Sequence, residues 1–462
     1  MRSTEALACV ALALFSSLAG AQADPRLARE LLRELVGIRT VHPDGDNTAA
    51  AKAAARRLLD AGFDAADVRV LEPAPLKGNL VARLRGTGGA RPILLLAHID
   101  VVDALPESWT AGLDPFQLTE RGDWLYGRGV VDNKAAAAMF VAILARLKRE
   151  GFRPKRDIIL ALTADEETGT HNGVQWLLDN HRPLIEAEFA LNEGGSGTLR
   201  EGRRIRMGVQ VSEKMYLSFE LEATNPGGHS SLPRGDNAIY DLAAALDRLS
   251  RLQLPAQVGP VARAFAGATA DSEAAPLAQS LRAIAAGNPT QDDLRRASAV
   301  PRYNAQLRTT CVATRLEAGH ADNALAQKAK ATVNCRLLPG DTEEAVRAEL
   351  QRAAGDRVQV RAKGTLRASE ATDPASAVMA AIDREAQSTW PGVKVIPVMS
   401  AGATDGSRLR NVGIPVYGIL PVFMEDGDWV RAHGRDERIS ASGFEAGLAY
   451  FDRLVRTLST SP

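Results

Sequence analysis

Three apolar segments of this chain stop on side chains able to bind a metal. "PILLLAHID" (92–100) ends in His98 and Asp100, "DIILALTADEE" (157–167) in Asp165, Glu166 and Glu167, and "EFALNEGG" (188–195) in Glu193. Apolar runs of this length, without polar alternation, read as strands buried on both faces. Strand-like and helical segments alternate here; "AAAAMFVAILARLKRE" (135–150) spells a helix of about four turns. The pattern argues for an α/β sheet with helices on both faces. Open α/β sheets gather ligands at the carboxyl ends of their strands, so these endings constrain the chain more than any other feature.

"LYGRGVVDNKAA" (125–136) adds Asp132 just ahead of the helix. Strand ends would then bring His98, Asp132, Glu166, Glu167 and Glu193 to one place. Four carboxylates within hydrogen-bond range repel strongly unless cations neutralise them. That points to metal, and to more than one ion. Taken singly the residues say little: one His at a strand end is commonly structural, a Glu-Glu pair is commonly a solvated turn, and Asp132 alone is an ordinary helix N-cap. Their co-occurrence carries the argument.

The pattern changes near residue 212. "KMYLSFELEA" (214–223) alternates as a half-solvated antiparallel strand does. Its free backbone groups would suit edge-to-edge pairing across a two-fold axis. A helix follows at 237–252, then an Ala-rich stretch of weak periodicity to about 300. Strand-like segments surround Cys311 and Cys335, followed by the helix "DTEEAVRAELQRAAG" and the strand "RVQVRAKG". The order β-α-β-β-α-β describes a two-layer α+β domain inserted into the first. The larger domain resumes with a helix at 374–388, strands at 393–399 and 414–420, and a last helix at 441–458. The division expected is 1–23 leader, 24–211 and 369–462 for the larger domain, and 212–368 for the insert.

The chain has 462 residues, enough for two cores, with 45% hydrophobic and 24% charged residues. Lys+Arg and Asp+Glu are both 56, so charge gives no case for nucleic acid or an anionic membrane. Arg2, the run "LACVALALFSSLAG" and "AQA" at 21–23 read as a secretory signal cleaved near Ala23. The mature protein is then periplasmic or secreted. Export permits a disulfide; Cys311 and Cys335 are either bridged or two buried thiols.

"AHIDVVD", "LYGRGVVDNK", "ADEETG", "NEGG", "NPGGHSS" and the late "AHGRDE" resemble, in order, the di-zinc exopeptidase family of carboxypeptidase G, succinyl-diaminopimelate desuccinylase, acetylornithine deacetylase and aminoacylase. The resemblance spans nearly the whole mature chain. Ala135 departs from it, standing where the family often has Gly. The resemblance implies a zinc-exopeptidase-like sheet flanked by helices, the insert being a lid and dimerisation domain. It implies two zinc ions per chain: His98 and Glu193 on one, Glu167 and His433 on the other, Asp132 bridging. Asp100 then orients the site and Glu166 is the general base. His229, in "NPGGHSS", reaches the other subunit of a homodimer and helps hold the charge on the tetrahedral oxygen. Arg336 in "VNCRLLPGD" matches a carboxylate-binding arginine, Asn323 in "GHADNAL" an asparagine near substrate, and Thr404 in "AGATDGSR" a residue facing the scissile group.

The function implied is hydrolysis of an amide next to a free carboxylate, as in a carboxypeptidase or an N-acyl-amino-acid hydrolase. The substrate is a small molecule or short peptide, with no nucleic acid or membrane partner. Within the family the alternative is a dipeptidase; from another class, an inactive metal- or ligand-binding protein on the same fold. "GGSGT" (194–198) is no nucleophile elbow, lacking the serine. His42, His171, His181 and His320 read as structural or solvated.

Overall fold

The computed structural model describes residues 24–167 and 170–461, so the expected leader lies outside the described residues. Leu94, Leu95 and Leu96 explain the unbroken apolar run in the strand Ala90–His98. Leu95 enters one hydrophobic core while Leu94 and Leu96 enter another on the opposite face, and all three are buried. Full burial of each such side chain contributes about 1.5–3 kcal/mol.

That strand lies inside an eight-stranded mixed sheet. Its order is Val68–Leu71, Asn79–Leu84, Arg156–Thr163, Ala90–His98, Phe189–Arg200, Val416–Met424, Arg203–Glu213, Lys394–Ser400. Four adjacent strands, from Arg156–Thr163 to Val416–Met424, run parallel. The helices Pro25–Gly37, Lys134–Arg149, Ala377–Thr389 and Ala441–Thr460 contribute to the core on one face, and Gly173–Ile185 covers the other. Lys134–Arg149 is buried over nearly its whole circumference, which is why its sequence is apolar on every side. The architecture is the α/β sheet flanked by helices that the sequence implied. No helix among the described residues is long and apolar enough to cross a membrane.

After Glu213 only Lys214 intervenes before the chain enters a second, four-stranded antiparallel sheet, ordered Thr310–Ala318, Lys328–Leu337, Met215–Thr224, Val358–Lys363. The helices Ala238–Ser250 and Glu343–Ala354 pack on it. This is the β-α-β-β-α-β order, interrupted between the first helix and the second strand. The weakly periodic stretch forms four short helices, Pro260–Ala270, Leu277–Ala286, Gln291–Ser298 and Pro301–Leu307, around a small core of their own. Pro260–Ala270 buries Ala262, Ala266 and Ala270, so its buried face stands out little by hydropathy, and the other three helices are only 7 to 10 residues long.

Two expectations are revised. Met215–Thr224 is not a free edge: Lys328–Leu337 pairs with one side and Val358–Lys363 with the other. Its alternation reflects one covered face, and the sheet's edges are Thr310–Ala318, exposed over most of its length, and Val358–Lys363. The open choice at the cysteines resolves as a bridge. Cys311 and Cys335 face each other across paired strands and are joined by a disulfide.

Candidate metal centre

Parallel pairing aligns the carboxyl ends of neighbouring strands, and the ligand-type residues follow. His98 closes its strand, Glu166 and Glu167 lie just past Thr163, and Glu193 sits within Phe189–Arg200. Asp132 occupies the turn before the helix Lys134–Arg149, and His433 lies in a turn beyond Val416–Met424. All six meet. His98 Nε2 lies 2.8 Å from Asp132 Oδ1 and 3.2 Å from Glu193 Oε2. His433 Nε2 lies 3.1 Å from Asp132 Oδ2 and 3.2 Å from Glu167 Oε1. Asp132 thus turns one oxygen to each half of a two-lobed cluster. Ligand atoms of His98, Glu166 and Glu193 also fall within 4.8 Å of one another.

Asp100 stands behind this cluster. Its two carboxylate oxygens accept the backbone N–H groups of Glu166, at 3.1 Å, and Glu167, at 3.0 Å. Its backbone oxygen is 3.0 Å from His98 Nδ1, leaving Nε2 to face the carboxylates. Asp165, next in sequence, points elsewhere and pairs with Lys77 at 2.8 Å.

Burial dominates the electrostatics. It opposes charge on His98, but Glu193, Asp100 and Asp132 together hold the imidazole well above its ordinary pKa. Burial also works against the Asp132 charge, and bonds from His433 and His98 more than reverse it, keeping this carboxylate low. Burial pushes Glu193 up to about 8. Burial, then the neighbouring Glu193, raises Glu166 well above the carboxylate range. The close carboxylates of Asp132 and Glu167 lift His433 to about 10. These are the marks of an anion excess that protons neutralise when cations do not.

The donor set fits a divalent metal. It consists of imidazole and carboxylate groups, and the buried Glu167 Oε1 makes no well-aligned hydrogen bond in the protein. Such donors suit zinc.

A cavity of about 500 Å³ opens on the cluster, touching Asp132, Glu166, Glu167, Glu193, Thr404 and His433. A second cleft shares Glu166, Glu167, Thr404 and His433 with it and is lined by Arg336. Arg336 donates to the Ala401 carbonyl at 3.2 Å and covers the Tyr216 ring at 5.0 Å. Thr404 lines both spaces, but its hydroxyl donates to Glu213 at 2.9 Å and accepts from the Gly406 N–H at 3.1 Å. His229 and Asn323 lie side by side on a short exposed ribbon, where Ser230 N–H donates to the Asn323 carbonyl at 3.0 Å. Neither lines the two cavities at the cluster. Of the remaining histidines, His181 meets Trp176 edge to face, His42 approaches Asp165, His171 bonds Thr170, and His320 is exposed.

Sequence reasoning missed the pair that fixes the cluster. Arg128 and Glu437 are buried and bonded at 2.8 Å. Glu437 accepts the backbone N–H groups of Gly129, Val131 and Asp132. Arg128 donates to the carbonyls of Ala432 and Gly434, on either side of His433. One ion pair therefore ties the Asp132 turn to the His433 turn. Both residues stood inside quoted motifs, "LYGRGVVDNK" and "AHGRDE", but other charges share those stretches and nothing there marked the two as partners.

The profile of Peptidase family M20/M25/M40 matches residues 94–457. An N-fatty-acyl-amino acid synthase/hydrolase of Xenopus tropicalis is 30% identical over 80% of this chain and 73% of its own length. Aminoacylase-1B of Rattus norvegicus is 26% identical over 94% of this chain and 95% of its own. The fold matches an M20 family metallo-carboxypeptidase of Sulfolobus solfataricus at a TM-score of 0.65 and 18% identity, covering 93% of this chain and 98% of that one.

Arg128→Met should leave Glu437 buried and uncompensated, a loss of about 3–5 kcal/mol in stability. Denaturant unfolding measures it. An unchanged midpoint would mean that the pair does not hold the two turns.

Proposed function

The chain belongs to Peptidase family M20/M25/M40, and from that premise we propose that it is a di-zinc hydrolase of N-acyl amino acids. The observation that carries the reading is Arg336, a guanidinium lining the cleft that also touches Glu166, Glu167 and His433. Its planar fork suits a substrate carboxylate. The names of the Xenopus relative and of the rat aminoacylase favour the N-acyl amino acid over the peptide.

In this reading His98 and Glu193 would hold one zinc, Glu167 and His433 the other, with Asp132 serving both. Bound zinc supplies Lewis acidity, acidifying water and polarising the scissile carbonyl. Glu166 takes the proton of the attacking water on a carboxylate oxygen and hands it to the leaving nitrogen. Asp100 keeps the Glu166–Glu167 backbone in place through the two N–H bonds described above. Arg336 fixes the free carboxylate, and Thr404 borders the scissile group with its backbone and methyl, its hydroxyl being held by Glu213.

His229 acts on the tetrahedral oxygen from a second copy of this chain, with Asn323 beside it. Their position outside the cluster's cavities supports this. So does the exposed edge Thr310–Ala318, where Val312 is 62% and Leu316 64% exposed; edge pairing about a two-fold axis would cover it. The N-terminal signal pattern and the Cys311–Cys335 bridge support export to an oxidising compartment.

Three outcomes are expected. Glu166→Gln keeps about two equivalents of zinc by elemental analysis while turnover falls about 10²–10⁴-fold, the usual share of a general base. Normal turnover would remove Glu166 from the mechanism, and a lost zinc would make it a ligand. Arg336→Ala raises KM strongly, lowering kcat/KM about 10–150-fold, the equivalent of a charge-assisted bond of about 1.5–3 kcal/mol. Equal rates of the unmutated enzyme on free and amidated substrates would sink the carboxylate assignment. Lastly, mixing inactive His229→Ala with inactive Glu166→Gln under subunit exchange should partly restore activity, because one site of a mixed dimer keeps both groups. No recovery would place His229 in cis.

A further inference from the structure

The cleft that Arg336 lines, about 520 Å³ in volume, holds charges that do not balance. Its acidic side chains are all engaged. Glu166 and Glu167 belong to the cluster. Glu213 pairs with Arg410 at 3.1 Å, and Asp405 accepts from Asn172 at 2.6 Å and faces Arg408 at 3.4 Å. Besides His433 of the cluster, the cations lining the space are Lys214, Arg336, Arg367 and Arg408. Of these, Arg408 alone has a carboxylate partner among the described residues. Arg336 meets the Ala401 carbonyl and the Tyr216 ring. Lys214 is buried, and its ammonium donates to neutral groups, the Arg308 carbonyl at 2.8 Å and the Thr310 hydroxyl at 3.0 Å. Arg367 is exposed and makes no ion pair among the described residues. Burial depresses the Lys214 ammonium, and the charge of Arg336 depresses it further. Like charges thus share one wall, and a cleft lined by one sign draws in the other.

Arg367 is held in place by its neighbours. In the irregular segment after Val358–Lys363, the alternate residues Thr365, Arg367 and Ser369 line the cleft, the two-residue period of extended chain. The residues between them are anchored. Leu366 packs on the core of the smaller sheet, and the Ala368 carbonyl accepts the Asn411 amide at 2.6 Å. Farther on, Thr372 donates its N–H to the Val211 carbonyl at 2.8 Å and its hydroxyl to the Val416 carbonyl at 3.0 Å. Ser369 is 4% exposed, and its hydroxyl has no hydrogen-bond partner among the described residues. Buried polar groups are as a rule paired, so this hydroxyl is a donor left over at the same wall.

In the reading above, Arg336 answers to the carboxylate next to the scissile amide. Lys214 and Arg367 are then left without an anion, in the cleft that takes the amino-acid half. The space on the other side of the cluster is walled by Val131, Leu420, Trp429, Val430 and Ala432 and touches none of these cations.

We propose that the amino-acid half of the substrate carries a second carboxylate, as in an N-acyl-glutamate or N-acyl-aspartate, and that Arg367, Lys214 and the Ser369 hydroxyl form the subsite that reads it. The proposal rests on the reading of the protein as an N-acyl-amino-acid hydrolase and names the class of amino acid released. A neutral side chain in the cleft would leave a buried ammonium without a counter-charge, which works against binding. An acidic one supplies it.

The test compares the zinc-loaded protein on one acyl group joined to glutamate, aspartate, glutamine and leucine, beside dipeptides. Glutamate and glutamine have nearly the same shape, so their ratio reads the charge. kcat/KM should favour glutamate over glutamine by about 10–150-fold, the range of one charge-assisted hydrogen bond, chiefly through KM. The ratio should shrink as salt is added. Arg367→Gln should cut the ratio by about tenfold or more, and Arg367→Lys should keep most of it. Lys214→Met should cut it likewise. Arg336→Ala, by contrast, should lower the rates on all the N-acyl amino acids in like proportion. Equal, good rates on the glutamate and glutamine derivatives would overturn the inference and leave the reading intact. Turnover of dipeptides alone would overturn both. A glutamate preference unmoved by Arg367→Gln and by folded Lys214→Met would overturn the assignment of the subsite.

Discussion

The site depends on the buried bond between Arg128 and Glu437. Ion pairs of this kind are poor sources of net stability, since desolvation cancels most of the attraction. Their use is positional. Glu437 accepts the N–H groups of Gly129, Val131 and Asp132, and Arg128 brackets His433 through the carbonyls before and after it. The turns are some 300 residues apart in sequence, yet Asp132 and His433 sit 3.1 Å apart. Asp100 serves the Glu166–Glu167 turn in the same way, with a carboxylate held under backbone N–H groups. Two buried acids thus orient the backbone, leaving the other four to face the cavity.

Parallel pairing supplies the rest. Four neighbouring strands end on one side of the sheet, so His98, Glu166, Glu167, Glu193 and His433 need little individual design to meet. Only the last approach, a few ångströms of turn geometry, requires the buried acids. This is the rule that open α/β sheets bind at strand ends, sharpened by the number of carboxylates that must tolerate each other.

Much of this was legible because burial on both faces leaves a plain trace. Leu94, Leu95 and Leu96 give an uninterrupted apolar run, and a His or Glu at its end stands out. The insert's order of strands and helices was legible for a related reason, its clean alternation and its amphipathic helices. The Arg128–Glu437 pair was not, because partners joined through backbone groups have no spacing that sequence displays. The four helices between 260 and 307 were unreadable because they are short and because, in Pro260–Ala270, alanine buries a face without marking it. The strand Met215–Thr224 misled, since alternation reports one exposed face and says nothing about which edges are paired. His229 and Asn323 could be placed beside each other only through the short ribbon they share.

The join between the two sheets brings a residue of the smaller one to line the cleft at the candidate metal centre. Glu213, at the end of its strand, holds Thr404 through N–H and hydroxyl and pairs with Arg410 at 3.1 Å. Lys214, buried, donates to the Arg308 carbonyl and the Thr310 hydroxyl, and burial lowers it to about 8. Two residues later Tyr216 pairs in register with Arg336 and lies beneath its guanidinium. From Glu213 to Tyr216 every side chain is bonded or packed against a neighbour. The Arg336 guanidinium is therefore carried on a strand that pairs with the continuation of the one whose Glu213 holds the Thr404 loop.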